Sequence, residues 1–340
     1  MGRIIVRRLL QGIPTFFGIT LVAFLIMMAA PGDPITLITF TPRRDPVSIA
    51  AMRKQLGLDQ PILTQYVYWL VGNDWVQTGT SESGEPVYGT RKGLLRGDLG
   101  VSIAYKQPVL TLIEQRIPAT LQLTVTALFI GYGVGILLGV LAAVYHKSWI
   151  DEVVRIITVL GNAVPAFWLG LIMIIVFSTR LNLLPSGGLR DVTSHGPESI
   201  SETVQHMLMP VFVLSLGTIA FVSRFMRTEL LEVLTQDYVR TARSKGLSNR
   251  LVWWKHATRN ALIPVATFVG PAIGTLLSGA VIIEQVFDWP GMGRLVVNAV
   301  FARDYPLVMG SVVVASILFI LGLILSDIFY GLLDPRIRFQ

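Results

Sequence analysis

Six stretches of this chain are apolar over about 20 residues or more, and nothing else in it restricts the fold as strongly. They run over about 9–30, 118–145, 153–179, 207–226, 261–285 and 306–332. A helix needs about 20 mostly apolar residues to cross roughly 30 Å of hydrocarbon. Backbone inside lipid must satisfy its own hydrogen bonds, so each run is expected to be a helix. Only 14% of residues are charged, against about 25% in a soluble protein. Lipid is therefore the solvent for much of the chain, and the expected class is an all-α integral membrane protein.

The charges orient the spans. Arg3, Arg7 and Arg8 precede the first run, which is longer than a secretory signal core and is followed directly by Pro31. It reads as an uncleaved span. Lys147 and Arg155, the seven cations from Arg227 to Arg259, and Arg336 and Arg338 fall on one side if there are six spans. By the positive-inside rule that side is cytoplasmic, and both termini lie there. The net charge of +7 is thus accounted for without nucleic acid. The expected layout is an N-terminal end and first span at 1–30, an extracytoplasmic subdomain at 31–117 and a five-helix core at 118–340. Within 31–117, PGDP at 31–34 ends the first helix, and QTGTSESGE at 77–85 reads as a flexible insertion.

Gly131, Gly135 and Gly139 share one helix face, as do Gly270 and Gly274, and such spacing lets helix backbones approach closely in lipid. Pro14, Pro165, Pro210, Pro264 and Pro271 lie in or beside spans, each removing a helical donor. Asn162, Glu284 and Asp327 are polar groups near membrane depth and stand as candidate pathway or gate residues, or as interfacial groups paired with neighbours.

Chemistry of the usual kinds is missing from the sequence. There is no cysteine, which excludes disulfides and thiolate sites. No phosphate-loop, H-E-x-x-H or G-x-S-x-G motif occurs. His146, His195, His206 and His256 are scattered, so no metal site is expected. The chain reads as something that moves or binds a cargo, not as an enzyme. An ion-driven secondary transporter would call for intramembrane charge relays and internal repeats, which the sequence does not display.

The most charged loop, about 227–260, contains TQDYVRTARSKGLSNRLVWWKHATRNALIP at 235–264. Asp237 suits a helix start, Arg240, Arg243 and Lys245 suit its end, and Gly246 fits the left-handed stop position with Leu247 closing it. Ser248 or Asn249 can cap a second helix through Arg259. There Leu247, Leu251 and Trp254 form an apolar stripe at helical spacing. Two short helices with an elbow at Gly246 follow. Whether they rest in lipid headgroups or dock on a soluble partner is left open by these residues alone.

The segment Asp237–Pro264 resembles the coupling loop of membrane subunits in bacterial dipeptide and oligopeptide ABC importers. The resemblance extends along the chain through RRLLQGIPTFFGIT, LGLDQPILTQYVYWL, GDLGVS, RIPATLQLT, FVSRFMRTELLEVL, VIIEQVFDWPGMGRL, DYPLVMG and SDIFYGLLDPRIR. Where the wider superfamily has E-A-A-x-x-x-G, this chain has Arg240, Thr241 and Ala242 before Gly246, the form of the peptide-importer branch. Residues 73–90 look inserted.

This resemblance implies a type I ABC importer permease fold with six transmembrane helices and a large extracytoplasmic loop. It implies a bacterial inner-membrane setting, a second permease of similar fold, two cytoplasmic ATPase subunits and a solute-binding protein. ATP and Mg would be bound by the ATPases, with no cofactor in this chain. Asp237, Tyr238, Arg240, Thr241, Ala242, Arg243, Lys245, Gly246 and Leu247 would face the ATPase. Trp253, Trp254, His256, Arg259 and Asn260 would brace that helix. The implied cargo is a di- or oligopeptide; nickel chelates, glutathione and oligosaccharides are handled by related permeases.

Overall fold

The computed structural model describes residues 2–29, 46–80, 84–190, 199–269, 271–272 and 280–333. The expected turn at 31–34, His195, Gly270 and Gly274 lie outside them. In chain order the helices are α1 (Gly2–Ala29), α2 (Pro46–Gln55), α3 (Ile62–Val71), α4 (Val109–Val144), α5 (Trp149–Ala163) and α6 (Ala166–Met173). They continue with α7 (Ile200–Leu234), α8 (Asp237–Ser244), α9 (Asn249–Leu251), α10 (Thr258–Ala266), α11 (Val281–Val286), α12 (Met292–Phe301) and α13 (Tyr305–Leu333).

Among the described residues, four helices are long and apolar enough to cross a membrane, in α1, α4, α7 and α13. The expected span at 153–179 is not one straight helix. It is broken into α5 and α6, which with its π-helical continuation Ile174–Arg180 departs at 98°. Val164 and Pro165 are extended at the break, because proline disfavours helical geometry in the residue before it and offers no N–H to the helix. Counted as one bent span, this pair makes five. The run at 261–285 is described at its two ends, which hold α10 and α11, and at 271–272 between them.

The chain divides into two compact units, each described here by itself. The first comprises Met1–Leu9, Ile117–Arg294 and Leu318–Gln340; the second comprises Leu10–Arg116 and Leu295–Ile317.

In the first unit the glycine face of α4 lies directly on α7. A Cβ built on Gly131 would stand 2.7 Å from the Thr218 Cβ, on Gly135 2.8 Å from that of Val222, and on Gly139 2.7 Å from both the Met226 Cβ and the Ser223 carbonyl oxygen. Only hydrogen fits at such separations, so the three glycines set the distance between the helices. A core then gathers Val140 and Ala143 of α4, Met226, Leu230 and Val233 of α7, Val239 of α8, and Ala261 and Val265 of α10.

In the second unit Phe24, Tyr66, Leu70 and Met309 are buried together, and Tyr66 Oη shares a hydrogen bond of 2.9 Å with Thr20 Oγ1. Asn73 is fully buried. Its Nδ2 donates to the Gln55 carbonyl at 2.9 Å and its Oδ1 accepts from the Arg91 N–H at 3.0 Å. Between those ends β1 (Gln77–Thr80) pairs antiparallel with β2 (Pro86–Tyr88). Part of the segment expected to be flexible is therefore hydrogen-bonded strand. Asp304 caps α13 by accepting from the Leu307 N–H at 3.2 Å. Its other oxygen accepts from the Ala104 N–H at 3.0 Å and from Ser102 Oγ.

Candidate functional site

The elbow forms as its residues dictate. Gly246 has φ +77°, a left-handed conformation that costs glycine nothing. Its N–H donates to the Arg243 carbonyl at 2.9 Å, and the Leu247 N–H donates to the Ala242 carbonyl at 3.3 Å. That is the paired closure of a Schellman stop, which satisfies two carbonyls left over at the end of α8. Ser248 then caps the next helix, its Oγ accepting from the Leu251 N–H at 3.4 Å.

The helix after the elbow differs from the expected regular one. Residues Val252–Ala257 form a π-helical turn between α9 and α10. In an α-helix residues five apart lie about 140° apart around the axis. The wider turn brings Val252 and Ala257 to the same side, and both are fully buried. The apolar stripe read at helical spacing faces outward, with Leu247 37%, Leu251 40% and Trp254 43% exposed.

On α8, Asp237, Tyr238, Arg240, Thr241 and Arg243 are exposed and Ala242 is half-buried, and Lys245, Gly246 and Leu247 are exposed beyond it. Arg240 approaches Asp237 at 3.7 Å. Val239 alone of this helix is fully buried, among α7 and α10. Sequence reasoning passed over it, although it is the one branched aliphatic residue in DYVRTARS. Of the bracing group, Asn260 makes the direct link: its Nδ2 donates to Tyr238 Oη at 2.7 Å. Trp253 and His256 are half-buried and Arg259 is exposed.

A second feature near the elbow was also missed. Arg227, counted with the loop, belongs to α7, which continues to Leu234. Its Nε and Nη2 donate to the two carboxylate oxygens of Asp151 at 2.7 and 2.8 Å. The Lys147 N–H adds a third bond to Asp151 at 3.0 Å, and His146 Nδ1 lies 3.2 Å away. With side-chain exposures of 20% and 3%, this two-pronged pair fixes the first turn of α5 to α7. The acidic pair Asp151–Glu152 in an otherwise basic loop was the available signal.

Asn162, Glu284 and Asp327 are not brought together. Asn162 is exposed in the last turn of α5. Asp327 accepts hydrogen bonds from the Arg8 guanidinium. Glu284 is fully buried; it accepts from Thr120 Oγ1 at 2.7 Å and from the Arg294 N–H at 3.0 Å. Thr120 Oγ1 in turn accepts from the Met292 N–H at 2.7 Å, and the Trp289 indole N–H donates to the Ala119 carbonyl at 2.9 Å. Gly291 and Gly293 leave no room for a Cβ beside the Glu284 carboxylate. The acid thus staples the VFDWPGMGR turn to α4.

The apolar helices of the described residues define a multi-pass membrane protein. Residues 135–339 match the model of the family described as binding-protein-dependent transport system inner membrane component, and residues 1–124 match that of its N-terminal part. The chain is 39% identical over 344 residues to the oligopeptide transport system permease protein AppB of Bacillus subtilis (strain 168), covering 100% of both chains. It is 37% identical over 357 residues to the dipeptide transport system permease protein DppB of Escherichia coli (strain K12), covering 99% of both. Among solved structures, an inward-facing form of the MetNI methionine ABC transporter is similar in fold, with TM-score 0.53 and 19% identity over 66% of this chain and 97% of that one. The chain belongs to the family of binding-protein-dependent transport system inner membrane components: it is an ABC importer permease, and not itself a catalytic subunit.

Proposed function

We infer that this chain forms half of the translocation pathway of an ATP-driven importer of di- and oligopeptides. It pairs with a second permease of similar fold, rests on two cytoplasmic ATPase subunits that bind ATP and Mg, and receives cargo from a solute-binding protein outside. Both termini and the elbow at Gly246 lie on the cytoplasmic side. The observation that carries this reading is the build of α8. Its polar and basic face is uncovered, while Val239 ties its other face to the transmembrane core. A helix exposed for a partner and stiffly joined to the spans is what transmission of ATPase closure requires. The peptide cargo is supported by the similarity to AppB and DppB along the full chain.

In this reading ATPase closure draws the two coupling helices together and opens the pathway outward; hydrolysis and release return it inward. Arg240 and Arg243 hold acidic or carbonyl groups of the ATPase, and charge reversal at both weakens its co-purification. The test is reconstitution of the complete transporter in proteoliposomes with radiolabelled dipeptides, and nickel chelates, glutathione and oligosaccharides as competitors. ATP-dependent peptide uptake is expected. Uptake driven by a proton gradient without the ATPases would overturn the reading.

A further inference from the structure

The break between α5 and α6 places irregular backbone within an apolar stretch. The 15 residues of α5 advance about 22 Å at 1.5 Å each, short of the roughly 30 Å hydrocarbon layer. Pro165 has no N–H, so the Gly161 carbonyl loses its helical donor. Such backbone is tolerated at membrane depth only where protein covers it or where it lines a water-filled cavity. Among the described residues the break is uncovered: Asn162, Ala163, Pro165 and Ala166 are exposed, and Phe167 and Trp168 are 46% and 52% exposed.

Beside the break, within the first unit, lies a cavity of about 230 Å³ between α5, α6, α7 and α11. Its walls are aliphatic and aromatic, among them Val164, Phe167, Leu169, Val213, Leu216 and Ile283, with no charged side chain. Gly161 and Gly217 also line it, for different reasons. A Cβ on Gly161 would stand 3.2 Å from Ala220 and 3.3 Å from Leu216, so this glycine lets α5 approach α7. A Cβ on Gly217 would meet nothing within 4 Å. Gly217 sits in an ordinary helix and contributes only empty space.

We propose that this cavity is a cargo subsite in the translocation pathway: it takes up one apolar side chain of the passing peptide, while the Gly161 carbonyl and the Asn162 side-chain amide hydrogen-bond the peptide main chain. The proposal rests on the peptide-importer reading above and adds where and how cargo is held. Among the candidate cargoes, a di- or oligopeptide joins N–H donors and carbonyl acceptors to an apolar branch within a few ångströms; glutathione has the amides but only a small thiol branch. A lipid tail fills the space but offers the carbonyl no donor. A sugar or metal chelate satisfies the polar groups but not the walls. The volume is below the roughly 300–1,000 Å³ of pockets that enclose whole drug-sized ligands, so the subsite grips one side chain and lets the rest pass.

The test uses the complete transporter in proteoliposomes, with Leu-Leu and Ala-Ala as cargoes supplied through the binding protein. Gly217→Leu fills the cavity and should lower the ratio of Leu-Leu to Ala-Ala uptake by about tenfold or more, the scale on which apolar groups discriminate in a pocket. Gly217→Ala adds one methyl group and should lower the ratio by a smaller step, which keeps the test decisive if the leucine variant assembles poorly. Gly133→Leu on α4, also in open space, should leave the ratio unchanged. An unaltered ratio in both Gly217 variants overturns the subsite, as does retention of a lipid that Gly217→Leu displaces without any change in uptake. If the unaltered transporter imports neither peptide, the peptide-importer reading itself fails instead.

Discussion

Substitution of Gly246 isolates backbone torsion as the quantity that holds the elbow. No atom lies within 4 Å of the Cβ that a substitution would add, so in this chain steric clash contributes nothing. What remains is the left-handed φ of +77°, which costs an L-residue roughly 1–2 kcal/mol. Asparagine reduces that cost by local hydrogen bonding, whereas a β-branched side chain raises it by crowding its own backbone. A cost of about 1 kcal/mol for Gly246→Ala lowers the closed elbow relative to a frayed one by about fivefold. A cost of about 2 kcal/mol or more for Gly246→Val lowers it by about thirtyfold or more. The bonds at stake are Gly246 N–H to Arg243 and Leu247 N–H to Ala242. The assay is peptide imported per ATP hydrolysed in proteoliposomes, with hydrogen exchange at Leu247 as a direct report on the elbow. Coupling should fall in the order Gly and Asn, then Ala, then Val, with the membrane-inserted amount unchanged. Valine performing as glycine would refute the reasoning. So would asparagine performing as badly as valine, since side-chain volume against a partner, and not torsion, would then be limiting.

Three further outcomes are expected. Arg227→Met strands the buried Asp151 carboxylate and should cost roughly 3–5 kcal/mol, with much of it recovered in Asp151→Leu/Arg227→Met, read as the thermal midpoint of the purified protein. Gly139→Leu drives a side chain into the Met226 side chain and the Ser223 backbone and should abolish monodisperse protein in size-exclusion chromatography, while Gly133→Leu should behave as the parent. Val239→Ala removes a buried anchor worth roughly 1–3 kcal/mol; amide exchange over 237–247 should quicken while exchange in α4 stays slow.

Much of this was legible before any coordinates, for reasons that differ by element. The glycine face of α4 and the stop at Gly246 are local rules: spacing in one case, φ in the other, and both survive whatever surrounds them. The break at Pro165 was visible as a residue but not as a bend, because a long apolar run reports only that lipid or protein covers it, not its direction. The π turn at Val252–Ala257 is not visible at a helical period of 3.6, on which Val252 and Ala257 fall about 140° apart and not on one buried face. The Asp151–Arg227 pair joins residues 76 apart and the Thr120–Glu284 bond residues 164 apart. No local pattern distinguishes such an acid from one that lines a pathway.

Under the proposed coupling role of α8, the placement of α7 would let one short exposed helix govern the spans. It meets α4 through backbone held close by three glycines, so nothing compressible separates them. It holds the start of α5 through the two-pronged Arg227–Asp151 pair and the end of α5 through Gly161 against Leu216 and Ala220. It shares a fully buried core with Val239 of α8. A displacement of α8 by a partner would therefore pass to α4 and α5 together, because a close-packed contact moves as a block and does not deform gradually. The chain then bends at Val164 and Pro165, where the helical ladder is already interrupted. Compliance concentrated at that point, beside the proposed cargo subsite, would let motion that enters at Val239 change the shape of the cavity without unpacking the bundle.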